Sequence, residues 1–279
     1  MLIYLPSYPR SGNSLIQDII ATFFERPITG VEPKSKLIHT NSTKNWRYNN
    51  QPLSSDQAQL QLLTLNLNKQ FFKKHDLNKW IISYDLTVPP YTQNCHCLLP
   101  GCASVLTPRN RQKLANEQNY FFIKTHALPY EKYFDNEYII QIVRHPSLVF
   151  DSYLSFLNMN DNQATTIDEV IRGKVPYGSW SEWHQKWEQA ISSLNNRFLR
   201  LRFEDTLLDT LKSCAQIKSL ISLDYNPTKE LTSFEKLHER NPNYYRSGKS
   251  DSQENLYSPN EINLIHELHG VTMKQLGYE

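Results

Sequence analysis

Apolar residues fill Leu2–Tyr8 almost without a break, and from Ser14 to Phe24 they recur on one broad face at helical spacing. This pattern predicts a short buried strand, a turn over residues 9–13 and an amphipathic helix. Tyr120–Thr125 and Tyr138–Val143 are near-continuous apolar runs, the pattern of strands covered on both faces. Further strands are expected at Lys36–His39, Trp80–Tyr84 and Arg197–Phe203, and helices at Ser55–His75, Pro146–Met159, Ser179–Leu194, Thr206–Ile221 and Pro259–Leu276. Capping boxes mark several starts: Ser179 with Glu182, Thr166 with Glu169, and Ser258 with Glu261, the last with Pro259 at the first helical position. Strands that alternate with helices predict an α/β fold, three layers α/β/α around a central, mostly parallel sheet. No repeat, linker or composition break divides the chain, so one domain over residues 1–279 is expected.

Composition narrows the function classes. Hydrophobic residues make up 39% and 30 Lys+Arg face 28 Asp+Glu, which excludes a disordered tail and a polybasic nucleic-acid coat, so no nucleic-acid partner is expected. The first residues do not show the pattern of a signal peptide and no segment approaches a membrane span, so neither export by a signal peptide nor a membrane-spanning segment is expected. Four cysteines are ordinary usage for a reducing compartment, and the expected location is cytoplasmic. Three of them, Cys95, Cys97 and Cys102, share a loop with His96, but a Cys-x-Cys step fits tetrahedral zinc poorly, and no metal is expected.

The chemistry concentrates where strands end. Arg10-Ser11-Gly12-Asn13-Ser14 joins the first strand to the first helix. A helix starting there aims unpaired N–H groups and its positive dipole end at the loop, Gly12 lets the backbone close round a ligand, and Arg10, Ser11 and Ser14 add donors. The result is an anion cradle on a P-loop-like nucleotide-binding core; the plainer alternative is a βα turn that holds an arginine. A second pentad, Arg246-Ser247-Gly248-Lys249-Ser250, repeats the pattern. Residues 243–250 resemble a Walker A loop except that Asn243 replaces its first glycine, and neither a preceding strand nor a following apolar helix is present. The pentad is read as a basic loop suited to closing over a bound phosphate, against the alternative of a solvated charge run.

Arg144 follows the strand Tyr138–Val143, and ligands of open α/β sheets bind outside the carboxyl ends of strands. Ser152, in the next helix, can share an anion with it. Lys124-Thr125-His126 ends the neighbouring strand in the same way, offering a histidine to take a hydroxyl proton and a lysine to stabilise charge on a transferring group. Nine histidines make the prior for any one low; position alone singles out His126. Trp180, Trp183 and Trp187 fall at helical spacing and are read as core or as a pocket wall.

These segments resemble a known family, the cytosolic-type sulfotransferases that use 3′-phosphoadenosine 5′-phosphosulfate (PAPS). Tyr8–Ser14 is similar to their 5′-phosphosulfate loop, Ile142–Pro146 through Ser152-Tyr153 to their 3′-phosphate motif, and Lys124–Pro129 to their Lys-Thr-His segment. Tyr177–Trp180, Leu201–Asp205, Ser233–Glu235 and the Arg246–Lys249 loop match in order. The resemblance implies that Arg10, Ser11, Gly12, Asn13 and Ser14 hold the 5′-phosphosulfate, that Arg144, Ser152, Arg246 and Gly248 hold the 3′-phosphate, that Ser247 also belongs to the cofactor site, and that Phe203 sits by the adenine. It implies transfer to a hydroxyl or amine of a small-molecule or carbohydrate acceptor, with His126 as base and Arg10 and Lys124 as electrostatic stabilisers. Arg10 stands where many members have lysine, Leu15 replaces a frequent tryptophan, and Gln253 stands where another tryptophan is common. Two rival readings remain: a nucleotide kinase, which would need a true Walker A loop and Mg²⁺-binding carboxylates, and an inactive nucleotide-binding scaffold.

Overall fold

The computed structural model describes residues 1–26, 28–31, 47–48, 51–52, 111–112, 115–116, 120–160, 164–240, 242 and 256–278. Five strands form the main sheet: β1 (Leu2–Pro6), β2 (Ile28–Val31), β3 (Phe121–Thr125), β4 (Glu137–Val143) and β5 (Phe198–Arg202). Their order is β2-β3-β1-β4-β5 and every pairing is parallel, with Tyr4 opposite both Ile123 and Ile139. Leu2, Ile3 and Leu5 of β1 and Ile139, Ile140, Ile142 and Val143 of β4 are fully buried, so the continuous apolar runs do reflect cover on both faces. Residues Arg47–Tyr48 and Gln51–Pro52 form a separate antiparallel pair.

Among the described residues the helices are α1 (Asn13–Phe23), α2 (Pro146–Asn160), α3 (Ile167–Ile171), α4 (Trp180–Ile191), α5 (Phe203–Leu208), α6 (Thr210–Ile221), α7 (Phe234–Arg240) and α8 (Pro259–Gln275). Helix α1 packs with α6, while α2, α3, α4 and α8 pack together. From β1 the chain crosses through α1 to β2, on one side; from β4 it crosses through α2–α4 to β5, on the other. Right-handed crossovers then put α1 and α2 on opposite faces, which gives the expected three layers.

Three helix starts carry the caps read from the sequence. Thr166 and Ser258 make full capping boxes with Glu169 and Glu261, and the Ser179 hydroxyl accepts from the Glu182 N–H. Two expectations are corrected. The single helix expected over Thr206–Ile221 is two helices broken at Asp209, which leaves helical geometry so that its carboxylate can cap the Lys212 N–H at 2.9 Å. The sheet also gains an edge strand at Ile28–Val31 that the periodicity did not predict. The strands expected at Lys36–His39 and Trp80–Tyr84, the helix at Ser55–His75 and the cysteine loop lie outside the described residues.

At the amino ends of the strands the buried Glu137 carboxylate takes hydrogen bonds from Tyr4 (2.7 Å) and from Arg111 (2.8 and 2.6 Å). Pairing and multiple donors are what let a charge stay inside a sheet. This brace holds the end of the sheet away from the crevice described next.

Candidate active site

Connections leave β1 and β4 in opposite directions, so the crevice at their carboxyl ends is the topological switch point of the sheet, the position where open α/β sheets bind ligands. Three turns frame it: Ser7–Gly12 after β1, His126 after β3, and Arg144-His145 after β4.

The first turn has an anion-binding backbone. Arg10 (φ 66°) and Gly12 (φ 98°) are both left-handed, and no side chain caps the start of α1. Such a turn points successive N–H groups into one concavity at the positive end of a helix. A side chain at Gly12 would run into the Phe203 ring and the Ile142 methyl, so only glycine fits there. The Arg10 Nε donates to Ser152 Oγ at 3.0 Å, and its guanidinium lies 5.4 Å from the Phe156 ring centre. Ser11 is placed differently from its neighbours. Fully buried, it spends its N–H on the Tyr8 carbonyl, and its hydroxyl has no hydrogen-bond partner among the described residues.

Arg144 is 9% exposed. Its Nη1 donates to the Arg10 carbonyl at 3.4 Å, which ties the two turns together. Its guanidinium lies 4.3 Å from the Phe203 ring centre, a cation–π contact that the sequence did not disclose. Burial pushes the Arg144 pKa down to about 10, with Glu204 opposing the shift and Arg10 adding to it. The group is a desolvated cation, still charged at neutral pH and primed for an anion. Glu204 braces the turn as well: its carboxylate accepts from the His145 N–H (3.0 Å) and the Tyr278 hydroxyl (2.9 Å).

On β3, Lys124 pairs in register with Leu5, and His126 lies just beyond the strand. The His126 Nδ1 lies 2.7 Å from the Ser7 carbonyl oxygen. A carbonyl can only accept, so Nδ1 carries a proton, and in the neutral ring the lone pair falls on Nε2, the arrangement that a base needs. The tryptophan stripe supports this turn. Trp183 and Trp187 donate from their indole nitrogens to the carbonyls of His126 (2.9 Å) and Ala127 (3.3 Å).

Arg10, Lys124, His126, Arg144, Ser152 and Phe203 all border one cavity of about 560 Å³, as do Gly12, Asn13 and Ser14. Ser11 does not border it. Leu231, Phe234 and Leu237 supply an apolar wall that periodicity did not reveal; the only trace in the sequence is the short segment Ser233–Glu235. Phe203, expected beside an adenine, has Gly12 against its ring and the Arg144 guanidinium over it, so part of its surface is already used. Arg246, Ser247 and Gly248 lie outside the described residues.

A parallel α/β sheet with a glycine turn, two arginines and a histidine around its switch point defines a P-loop-like nucleotide-binding enzyme fold. The chain belongs to the sulfotransferases: the sulfotransferase domain family matches residues 3–260. No curated protein matches the sequence. Among solved structures, the chain is similar to a mouse sulfotransferase in complex with PAP, 3′-phosphoadenosine 5′-phosphate. The match has 19% identity and a TM-score of 0.56 and covers 97% of this chain and 84% of that one. It is also similar to a retinol dehydratase in complex with retinol and PAP, at 15% identity and a TM-score of 0.51 over 98% of this chain and 81% of that one. No helix among the described residues is long and apolar enough to cross a membrane.

Proposed function

We propose that this sulfotransferase uses PAPS as donor and a hydroxyl-bearing small molecule or carbohydrate as acceptor, with His126 as the general base. The observation that carries the reading is the convergence of Arg10, Arg144, Lys124 and His126 on one cavity. The fit to the donor rests on this chain: a turn that only glycine can make, a helix start with no side-chain cap, and a buried guanidinium primed for an anion. That the mouse sulfotransferase and the retinol dehydratase were both solved with PAP supports the same reading.

PAPS would supply the sulfuryl group, moved in line from a phosphate oxygen to the acceptor oxygen. Within the protein, Arg10 and the main-chain N–H groups of Gly12, Asn13 and Ser14 would bind the 5′ end, Arg144 and Ser152 the 3′-phosphate, and Leu231, Phe234 and Leu237 give the cavity an apolar wall. His126 takes the acceptor proton at Nε2, and Ser7 carries the opposite side of the ring. Lys124 stabilises negative charge near the sulfuryl oxygens. The test is a transfer assay with labelled PAPS against a panel of phenols, alcohols, amines and sugars. Label that moves to an acceptor supports the reading, and a panel left unlabelled while PAPS binds opposes it.

A further inference from the structure

Resting on His126 as base, we infer that Asn13 is a positioning residue that couples the anion turn to the base: its carboxamide fixes Ser7, and Ser7 fixes the tautomer of His126. Asn13 begins α1 inside the anion turn and is expected to face the donor. Its side chain faces the other way. The residue is 7% exposed, and its Nδ2 donates to the Leu5 carbonyl at 3.1 Å and to Ser7 Oγ at 2.9 Å. Because the Leu5 carbonyl accepts only, the nitrogen must lie on that side, and Oδ1 is left to accept from Gln17 Nε2 at 2.8 Å. Gln17 is held in turn by a second bond, Nε2 to the Asn13 carbonyl at 3.2 Å. Both amide hydrogens and the amide oxygen are therefore used inside the fold, and Asn13 has only its main chain to offer an anion.

The Ser7 end of this network sets the base. Ser7 is fully buried, its N–H donates to the Thr125 carbonyl at 3.2 Å, and its carbonyl accepts from His126 Nδ1 at 2.7 Å. Its hydroxyl also lies near that ring nitrogen, at 3.4 Å. A hydroxyl can donate where a carbonyl cannot. Donation to Nδ1 would move the ring proton to Nε2 and leave no lone pair for an acceptor proton. Asn13 counters this by position: its donation to Ser7 Oγ leaves the hydroxyl its proton but holds the oxygen 3.4 Å from Nδ1, so that the carbonyl at 2.7 Å keeps the shorter contact. The same amide pins Leu5, the register partner of Lys124, so one side chain in the donor loop governs the geometry at the end of β3.

The test reads the tautomer directly, by NMR of the full chain labelled with ¹⁵N-histidine, with His126 assigned from a His126→Gln sample. The native protein should show His126 protonated at Nδ1 at neutral pH. Asn13→Ala should shift the ring toward the Nε2–H form and lower kcat by about 10- to 100-fold, as displacement of a catalytic group does, while PAP affinity changes by less than about threefold. Ser7→Ala added to Asn13→Ala removes the competing hydroxyl and should restore the Nδ1–H form. Should Asn13→Ala fold poorly, Gln17→Leu removes the bond to Oδ1 from a half-buried helix position and should give the same shift in smaller measure. An unchanged tautomer in the Asn13→Ala and Gln17→Leu proteins overturns the inference, as does a loss of PAP affinity equal to the loss in kcat. The base assignment fails separately: a His126→Gln protein with full turnover refutes the base and leaves the tautomer measurement standing.

Discussion

The indole nitrogen of Trp183 donates to the main-chain carbonyl of His126 over 2.9 Å, so the buried face of α4, not the loop itself, fixes where the candidate base begins. Trp183→Phe keeps an aromatic ring at this buried position but loses the donor and the pyrrole half of the indole. Leaving a half-buried carbonyl unmet should cost about 1–2 kcal/mol of stability by urea denaturation. Turnover should fall about tenfold, by the looseness that misplaces a reacting group, while PAP affinity stays level. An equal loss in PAP affinity would count against a role confined to the His126 turn.

Arg10 makes two demands on one side chain, because its Nε is bonded to Ser152 while the guanidinium borders the cavity. A planar fork can do both; a lysine ammonium is a single point of charge. Arg10→Lys should therefore lower kcat/KM for PAPS by about tenfold or more, the worth of one charge-assisted bond. Ser152→Ala should have a smaller effect in the same direction. Steady-state kinetics checks both, and an Arg10→Lys enzyme of native efficiency would contradict the shared role.

Gly12→Ala combines left-handed backbone with a clash against Phe203 and Ile142. Strain of this kind costs about 1–3 kcal/mol. Trimming the ring with a second change, Phe203→Leu, should recover only part of the loss, because the φ of 98° remains. Thermal denaturation of the single and double variants separates the clash from the backbone term, and full recovery would show that sterics alone matter.

His184 lies fully buried between Trp180 and Trp183, and neither ring nitrogen has a hydrogen-bond partner among the described residues. Burial holds its pKa well below 6.5, with the positive charges of Arg200 and His269 acting in the same direction. Below the ordinary pKa the unfolded chain takes up a proton that the folded chain refuses. Stability should therefore fall as pH drops through about 6.5, by at most about 1.4 kcal/mol per pH unit for this residue. His269, also lowered by burial, adds to the slope. Denaturation between about pH 7.5 and about pH 5.5 should show the decline, and His184→Leu should flatten it without harming stability at the upper end. A slope unchanged in that variant would assign the pH dependence to other groups.

Much of the site was legible because its residues sit where apolar runs stop. The runs ending before Ser7, Lys124 and Arg144 are buried on both faces, and period-free hydrophobicity marks such strands well. What was missed depends on features that periodicity does not carry. Strand β2 is only four residues long and contains Gly30, which is too short to show a pattern. Asp209 breaks a helix because its carboxylate competes for a backbone N–H, and the apolar residues on either side keep the same helical spacing. The inward turn of Asn13 and the contact of Arg144 with Phe203 are choices among partners brought together by the fold, which the order of residues in the loop does not encode.

The central claim is that Arg144 and the Arg10 turn grip two ends of one doubly phosphorylated adenosine. Calorimetric titration of PAP and of AMP into the native protein and into Arg144→Ala tests it most directly. The account predicts that the native protein binds PAP at least about tenfold more tightly than AMP, the worth of one or two charge-assisted bonds, and that Arg144→Ala removes this preference while AMP binding is little changed. Equal affinity of the native protein for PAP and AMP, or a preference for PAP that survives Arg144→Ala, would contradict it.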